Sequence, residues 1–193
     1  MRRIMCFPVI FVLLTACTGC DNNEEAFPDP AFKACVKDEL EIYSETYEKE
    51  LKIDNDEDLA LIDEFACTSG GGIVSIKGIE KLVNARKISL NNNQIESVEP
   101  LRNLKKLEVL HLDINKIRDI EPLTGAENLR TLILTKNYIS DFRPLKKLSQ
   151  LKSLGVSLNC ATDLSQFDEI KEVLPEITMS GITAEEQSPE KCQ

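Results

Sequence analysis

Leu110-His-Leu-Asp-Ile-Asn115 is one of four stretches that share a pattern, the others being Ile88-Ser-Leu-Asn-Asn-Asn93, Leu132-Ile-Leu-Thr-Lys-Asn137 and Leu154-Gly-Val-Ser-Leu-Asn159. Their closing asparagines recur every 22 residues. Aliphatic residues occupy alternate positions before each asparagine, which is the periodicity of a strand with one buried face. The middle of the chain is therefore built from a repeated strand-and-turn unit.

The repeat predicts a leucine-rich repeat array, which is an α/β solenoid with parallel strands on its concave face. One such unit cannot bury its apolar face alone, so neighbouring units must stack on it. We expect each closing asparagine to lie where the strand turns, its amide pairing with backbone groups inside the stack. A solenoid presents an extended strand surface, so the repeat favours a binding scaffold over an enzyme.

The repeats divide the chain into five segments. We assign residues 1–16 to a lipoprotein signal peptide, 17–28 to a flexible tether, 29–68 to an N-terminal cap, 69–160 to the leucine-rich repeats and 161–193 to a small C-terminal cap and tail. A fold of this kind, with a helical N-terminal cap and a few repeats, fits the length of one folded unit.

The first residues predict export. Arg2 and Arg3 precede the mostly apolar run 4–14, which is too short for a membrane span and is typical of a secretory signal peptide. Leu14-Thr-Ala-Cys17 resembles the lipobox of bacterial lipoproteins, whose cysteine is acylated and becomes the first residue of the mature protein. That resemblance implies that Cys17 carries lipid and anchors the protein to a membrane. Cys20 as the acylated residue and a plainly secreted protein stay open as alternatives.

The net charge limits the choice of partner. Arg2 and Arg3 are the charged residues before Cys17, so their removal takes the net charge from −10 to −12. Such a surface repels phosphate backbones, which argues against nucleic acid as a partner.

Thr18 follows Cys17, where many lipoproteins of the inner membrane carry aspartate, and this implies an outer membrane in the bacterial cell envelope. We expect a monomer without a cofactor.

The cysteines fit an oxidising compartment. Besides Cys6 and Cys17 the chain has five cysteines, two before the array, two at or after its last asparagine, and Cys20 in the tether. This placement predicts two disulfides at the solenoid ends, and it pairs Cys35 with Cys67 and Cys160 with Cys192. Each would close a loop of roughly 30 residues, worth about 3 kcal/mol in the chain-entropy model. A metal site is the alternative, but no Cys-x-x-Cys spacing supports it.

Both caps carry helix patterns. The apolar residues after Pro30 recur at three- and four-residue steps, which predicts one face of an amphipathic helix: Phe32, Val36, Leu40 and Tyr43. A second helix is predicted from Ser165 to Leu174, where Pro175 stops it. The acidic run 54–58 does not fit a calcium loop, since its sixth position is Leu59 and not glycine. We interpret that run as a solvated turn.

The repeat also identifies a relative. The 22-residue unit with Asn-x-Ile and Pro-Leu, as in Asn93-Gln-Ile95 and Pro100-Leu101, resembles the repeat of internalin-type bacterial leucine-rich repeat proteins over roughly residues 65 to 165. That resemblance implies a protein partner held on the concave strand face. The residues that flank the core leucines should form this face: Lys87, Ser89, Asn91, Asn92, Val109, His111, Asp113, Ile114, Thr131, Ile133, Thr135, Lys136, Ser153, Gly155, Ser157 and Leu158.

Apolar side chains stand out among these positions. Val109, Ile114, Ile133 and Leu158 occupy places where a solvated strand would carry polar residues. One interpretation is a contact patch for a partner. The other is that β-branched residues favour strands and that scattered exposed ones need no explanation.

Two further interpretations stay open at this point. Ser89 and His111 occupy equivalent positions in neighbouring repeats, and Asp113 follows, so the residue types of a catalytic triad are present. A flat strand face lacks a glycine nest or helix terminus to stabilise an oxyanion, which argues against catalysis. The other alternative is a structural or protective envelope lipoprotein, such as an immunity factor, without a host-directed role.

Overall fold

The repeats form a single parallel sheet in the computed structural model of the chain, which describes residues 26–68, 72–187 and 192. The signal peptide, the acylation candidates Cys17 and Cys20, and the tether before residue 26 lie outside the described residues. The sheet has six neighbouring strands in sequence order. They are β1 (Glu64–Ala66), β2 (Lys87–Ser89), β3 (Val109–His111), β4 (Thr131–Ile133), β5 (Ser153–Gly155) and β6 (Thr178–Ser180).

The register of the sheet follows the 22-residue period. Leu110 in β3 pairs with Ile88 on one side and with Leu132 on the other. We had placed the strands on the Leu-x-Leu segments, and each begins one residue earlier. Backbone hydrogen bonds between repeats continue past the strand, with Leu112 N–H donating to Ile133 O at 2.9 Å and Ile114 N–H to Thr135 O at 2.8 Å, as far as the left-handed bend at Ile114.

Aliphatic side chains fill the interior of every repeat. In the third repeat seven positions are buried, and the neighbouring repeats bury the equivalent ones: Leu110, Leu112, Ile117, Ile120, Leu123, Ala126 and Leu129. Each fully buried leucine or isoleucine stabilises the fold by about 1.5–3 kcal/mol. The stacking that the repeat predicted is therefore present, and it supplies the core.

The closing asparagines pair with backbone groups, as predicted. Asn115 accepts the N–H of Ile95 at 3.0 Å and donates to Leu90 O and Leu112 O, both at 3.0 Å. Asn137 repeats this arrangement one repeat later. Each side chain thus joins its own turn to the preceding repeat. We call Asn93, Asn115, Asn137 and Asn159 the ladder asparagines.

Short 3-10 helices form the convex side. Three of them have proline as the second residue: Glu99–Leu101, Glu121–Gly125 and Arg143–Lys147. Proline is tolerated there because the first N–H groups of a helix have no partner within the helix. These helices pack against each other and hold the convex side of the stack.

The N-terminal cap covers the free edge of β1. Helix α1 (Pro30–Tyr47) confirms the predicted amphipathic helix and buries Phe32, Val36 and Leu40. The Tyr43 hydroxyl accepts the N–H groups of Asp63 and Glu64 at 3.2 and 3.1 Å, and so satisfies backbone donors at the edge. The disulfide expected between Cys35 and Cys67 is formed, with 6.0 Å between the Cα atoms.

The acidic run is the predicted solvated turn only in part, since Asp54, Asp56 and Glu57 are exposed. Its second half forms the short helix α2 (Asp56–Leu59), and Asp58 is buried. Asp58 accepts hydrogen bonds from Lys49 Nζ at 2.8 Å and from the Lys52 N–H at 3.0 Å. The bond from Lys49 holds the pKa of this carboxyl below its usual range. Sequence patterning missed this role because both partners lie outside the run.

Two glutamines close the C-terminal end. Helix α3 (Ser165–Val173) matches the predicted helix, and its buried Gln166 accepts the Phe142 N–H at 2.6 Å. Gln187 donates to Val156 O at 3.1 Å in the last repeat. The expected disulfide between Cys160 and Cys192 is formed, with Cα atoms 5.9 Å apart. None of the helices among the described residues is long and apolar enough to cross a bilayer.

Candidate protein-binding face

The side chains that flank the buried strand centres form three columns, which we call the strand face. The first column is Glu64, Lys87, Val109, Thr131, Ser153 and Thr178. The second is Ala66, Ser89, His111, Ile133, Gly155 and Ser180. The third continues past the strands with Asn91, Asp113, Thr135 and Ser157, whose neighbouring backbones are hydrogen-bonded.

Twelve of the sixteen residues predicted for the concave face lie on the strand face. Of these twelve, Lys87 is exposed, Gly155 is buried and the other ten are half-buried, as expected for side chains that stand beside neighbours on a sheet. The structure adds residues from β1 and β6 that sequence reasoning missed: Glu64, Ala66, Thr178 and Ser180. The sequence of β6 lacks the Leu-x-Leu pattern, so the repeat did not predict this strand.

The centre of the strand face is apolar. Val109 in β3 and Ile133 in β4 flank His111, which pairs in register with Ile133. Gly155 comes next in the same column, and a Cβ atom built there would lie 3.3 Å from Ile133 Cδ1. The absence of a side chain at Gly155 therefore leaves room for Ile133 to lie across β5.

Small hydroxyl side chains surround this centre. Thr131, Thr135, Ser153 and Ser157 are half-buried and occupy the first and third columns beside Ile133. Serine and threonine hydroxyls both donate and accept hydrogen bonds. The C-terminal half of the strand face is thus a shallow surface with an aliphatic middle and hydrogen-bonding margins.

The strand face carries little charge. Lys87 Nζ lies 3.3 Å from Glu64 Oε2, so the charges at its N-terminal end form an exposed pair. Besides Glu64, Asp113 is the second carboxylate among the described residues of the face. The whole chain has a net charge of −10, and the face is thus far less acidic than the rest of the molecule.

Ile114 and Leu158 do not belong to the strand face, which corrects their assignment from sequence. Both lie at the bend after a strand, with φ of 57° and 59° and exposed fractions of 38% and 42%. Asn92 and Lys136 occupy the same bend position with φ of 61° and 59°. Because the left-handed backbone ends the strand alternation, these four side chains leave the surface that the flanking residues share.

The residues of the catalytic alternative are near one another but not connected. Ser89 pairs in register with His111, and Asp113 lies two residues further along. Within the described part of the chain, these three side chains make no hydrogen bond to one another, so the base is not oriented as a triad requires. The described residues also contain no cluster of His, Cys, Asp or Glu suited to a metal ion.

Sequence comparison agrees with the repeat geometry. The family model for leucine-rich repeats in two copies matches residues 86–125, which span β2, β3 and their turns. No curated protein sequence is significantly similar to the chain. The sequence match therefore reaches two repeats, and the rest of the fold rests on the structure.

Structural comparison gives three similar proteins. The internalin inlF of Listeria monocytogenes is 26% identical with a TM-score of 0.65, over 86% of this chain and 53% of that one. The internalin inlC2 of the same species is 25% identical with a TM-score of 0.45, over 81% and 84%. A leucine-rich repeat protein of Leptospira interrogans is 21% identical with a TM-score of 0.51, over 56% and 28%.

The parallel sheet, the ladder asparagines and the matched repeats define a leucine-rich repeat solenoid. Among such solenoids the chain is internalin-like, and it spans about half the length of inlF. Leucine-rich repeat proteins of this kind mediate protein–protein interaction and act as scaffolds and not as enzymes.

Proposed function

We propose that this protein binds another protein through the strand face. The observation that carries the proposal is the arrangement on β3 and β4, where Val109 and Ile133 flank His111 among polar neighbours. Protein interfaces commonly combine an apolar centre with a polar rim that excludes water. The strand face has both parts on a rigid sheet, so a partner can dock without ordering a loop.

The charge distribution supports the same surface. The exposed surface elsewhere carries most of the acidic residues, and it would repel acidic partners at a distance. The strand face offers a partner few charges to desolvate, apart from the Glu64–Lys87 pair and Asp113. Burying an unpaired charge carries a large desolvation penalty, so contact at the nearly neutral strand face carries a smaller penalty than contact at the acidic surface.

We further infer that the domain is held at a membrane of the bacterial cell envelope by an acylated Cys17, as a monomer. The lipobox-like Leu14-Thr-Ala-Cys17 supports this anchor, and Thr18 supports an outer membrane. Mass spectrometry of the protein from its native cells should detect an acyl mass that is lost in the Cys17→Ser variant. An unmodified, released wild-type protein would contradict the anchor.

The strand-face proposal is tested by reversing the chemistry of its centre. Ile133→Arg places a charge at the apolar centre of the strand face. Ile133 is half-buried, so the longer side chain can extend to solvent without disrupting the sheet. Its control is Val83→Arg, because Val83 is 52% exposed and follows the 3-10 helix Ile79–Lys81 away from the strands. Affinity capture from native envelopes should recover the same protein with wild type and Val83→Arg, and lose it with Ile133→Arg. Equal recovery with both variants would contradict the proposal.

A further inference from the structure

A second row of exposed side chains runs beside the strand face, at the bend after each strand. The bend residue is Asn92, Ile114, Lys136 or Leu158 in successive repeats, and all four have a left-handed backbone. The residue that follows each ladder asparagine forms a parallel row: Gln94, Lys116, Tyr138 and Cys160. The two rows are separated by the ladder asparagines.

In the last three repeats the two rows enclose a groove with a volume of about 250 Å³. Its walls are formed by Ile114, Lys116, Lys136, Tyr138 and Leu158, and Cys192 contributes to its lining. We call it the bend groove. Its floor consists of ladder asparagines whose amides are already hydrogen-bonded to backbone groups, so the floor offers few polar contacts to a ligand.

The apolar walls of the bend groove occupy positions that do not favour them. A left-handed backbone suits glycine, asparagine or aspartate, and it is strained for a β-branched residue such as Ile114. The second repeat has Asn92 at this position, as expected, whereas Ile114 and Leu158 combine the strained backbone with solvent exposure. Contact with a ligand would explain two partly exposed aliphatic residues at a bend that disfavours them.

The bend groove is positively charged within an acidic protein. Lys116 and Lys136 line it, and its lining includes no aspartate or glutamate among the described residues. Lys116 bonds the neutral Gln94 amide at 3.0 Å, and Lys136 has no ion-pair partner within the described part of the chain. Glu96, Glu99 and Asp119 line a neighbouring hollow, which shares Lys116 and Tyr138 with the groove, but none of these carboxylates forms an ion pair with Lys116. Both lysines of the groove are therefore available to carboxylates of a ligand.

We propose that the bend groove binds a short extended segment of a partner protein in which aliphatic and acidic side chains alternate. Ile114 and Leu158 are two repeats apart, a separation of roughly 10 Å at the strand spacing. An extended segment of about three residues covers this distance. Its aliphatic side chains would contact Ile114, Tyr138 and Leu158, while its carboxylates pair with Lys116 and Lys136. The site is separate from the strand face, and it does not depend on the function proposed there.

The test uses methyl resonances of the purified protein and three end-blocked hexapeptides. The first alternates leucine with aspartate, the second replaces aspartate with lysine, and the third replaces leucine with serine. The first peptide should shift the methyl signals of Ile114 and Leu158 and leave Ile133 on the strand face unchanged. Its affinity should exceed that of the other two at least about fivefold. No shift at Ile114 and Leu158, a shift at Ile133 alone, or equal binding of the lysine peptide would each overturn the proposal.

Ile114→Asn provides a variant that is expected to stay folded, because asparagine suits the left-handed bend, as Asn92 shows. It should weaken binding of the aspartate peptide at least about fivefold without lowering the thermal midpoint. Lys136→Glu should weaken it similarly and remove the preference over the lysine peptide. Val83→Asn, an exposed aliphatic outside the groove, is the matched control and should bind as the wild type does. Unchanged affinity in Ile114→Asn and Lys136→Glu, or equal shifts from phosphatidylglycerol vesicles, would contradict a peptide site.

Discussion

The ladder asparagine is the residue on which each repeat depends. Its amide combines an acceptor for one buried N–H with a donor for two carbonyls, and a hydroxyl or an aliphatic side chain supplies at most part of this set. Asn159 shows the same geometry at the last repeat, with contacts of 3.1, 2.9 and 2.9 Å. One residue type therefore satisfies the turn of every repeat.

Replacing one ladder asparagine should destabilise the whole stack. Asn137→Ala removes the acceptor of the Ile117 N–H and the donor to Leu112 O and Leu134 O, and all three backbone groups are buried. We expect the free energy of unfolding to fall by at least about 2 kcal/mol, measured by urea denaturation. The control is Asn103→Ala, since Asn103 is exposed and its change should stay within about 0.5 kcal/mol. A loss no larger than that of the control would show that the turns do not need the amide.

Residue types alone predicted the role of the ladder asparagines but misplaced the four bend residues, Asn92, Ile114, Lys136 and Leu158. The need for an asparagine amide follows from the 22-residue spacing and from the buried backbone groups at each turn, so the sequence alone predicted it. The positions of Ile114 and Leu158 depend on a left-handed bend, and the sequence there gives no glycine that would signal it. Asp58 was misjudged for another reason, because its partners Lys49 and Lys52 lie in the connection just before the run and follow no sequence pattern.

At the scale of elements, Asp29 joins helix α1 to the first repeat. One carboxylate oxygen caps the helix by accepting the N–H groups of Ala31 and Phe32, both at 3.0 Å. The other accepts the N–H groups of Val74 and Ser75 at 2.9 and 3.0 Å. Partial burial raises the pKa of Asp29, but these four donors outweigh it and bring the pKa below its ordinary value.

The charge of Asp29 should therefore stabilise the cap above the ordinary carboxyl pKa, with the contribution lost as the pH falls through the lowered pKa. Asp29→Asn keeps an acceptor for the helix but loses the one for Val74 and Ser75. We expect it to cost about 1 kcal/mol at pH 7, since the site is partly solvated. This difference from the wild type should shrink below about pH 4.

The measurement for Asp29 is thermal unfolding of both proteins from pH 7 to pH 2.5. Asp54→Asn is the control, because Asp54 is exposed and makes no hydrogen bond through its side chain within the described residues. A pH-independent difference between Asp29→Asn and wild type would mean that the carboxylate charge does not stabilise the junction.

Elements with strong periodicity could be predicted, and those that depend on neighbours could not. The apolar spacing gave helix α1, and Pro175 gave the end of helix α3 within one residue. Strand β6 was missed because Thr178–Ser180 is a segment of 3 residues, too short to show a periodicity, and no repeat asparagine follows it. It forms because β5 offers an edge with unpaired backbone groups, which is a property of the assembled sheet.

At the scale of the molecule, the solenoid separates stability from recognition. The core, the ladder asparagines and the two disulfides hold the stack, while the strand face and the bend groove present side chains that the fold does not require. The sequence defined the strand face because alternation fixes which residues point outward. It gave no partner, since the chemistry of a nearly neutral face restricts the choice far less than a charged or catalytic site would.

The central claim is that the strand face is the surface that contacts a partner, and site-directed photo-cross-linking tests it most directly. A photoreactive benzoylphenylalanine would replace Thr135 on the strand face or, as the control, Val83 beside the first 3-10 helix, in the cells that produce the protein. The account predicts an adduct of one discrete mass from Thr135 and none from Val83. An adduct from Val83 with none from Thr135 would contradict it.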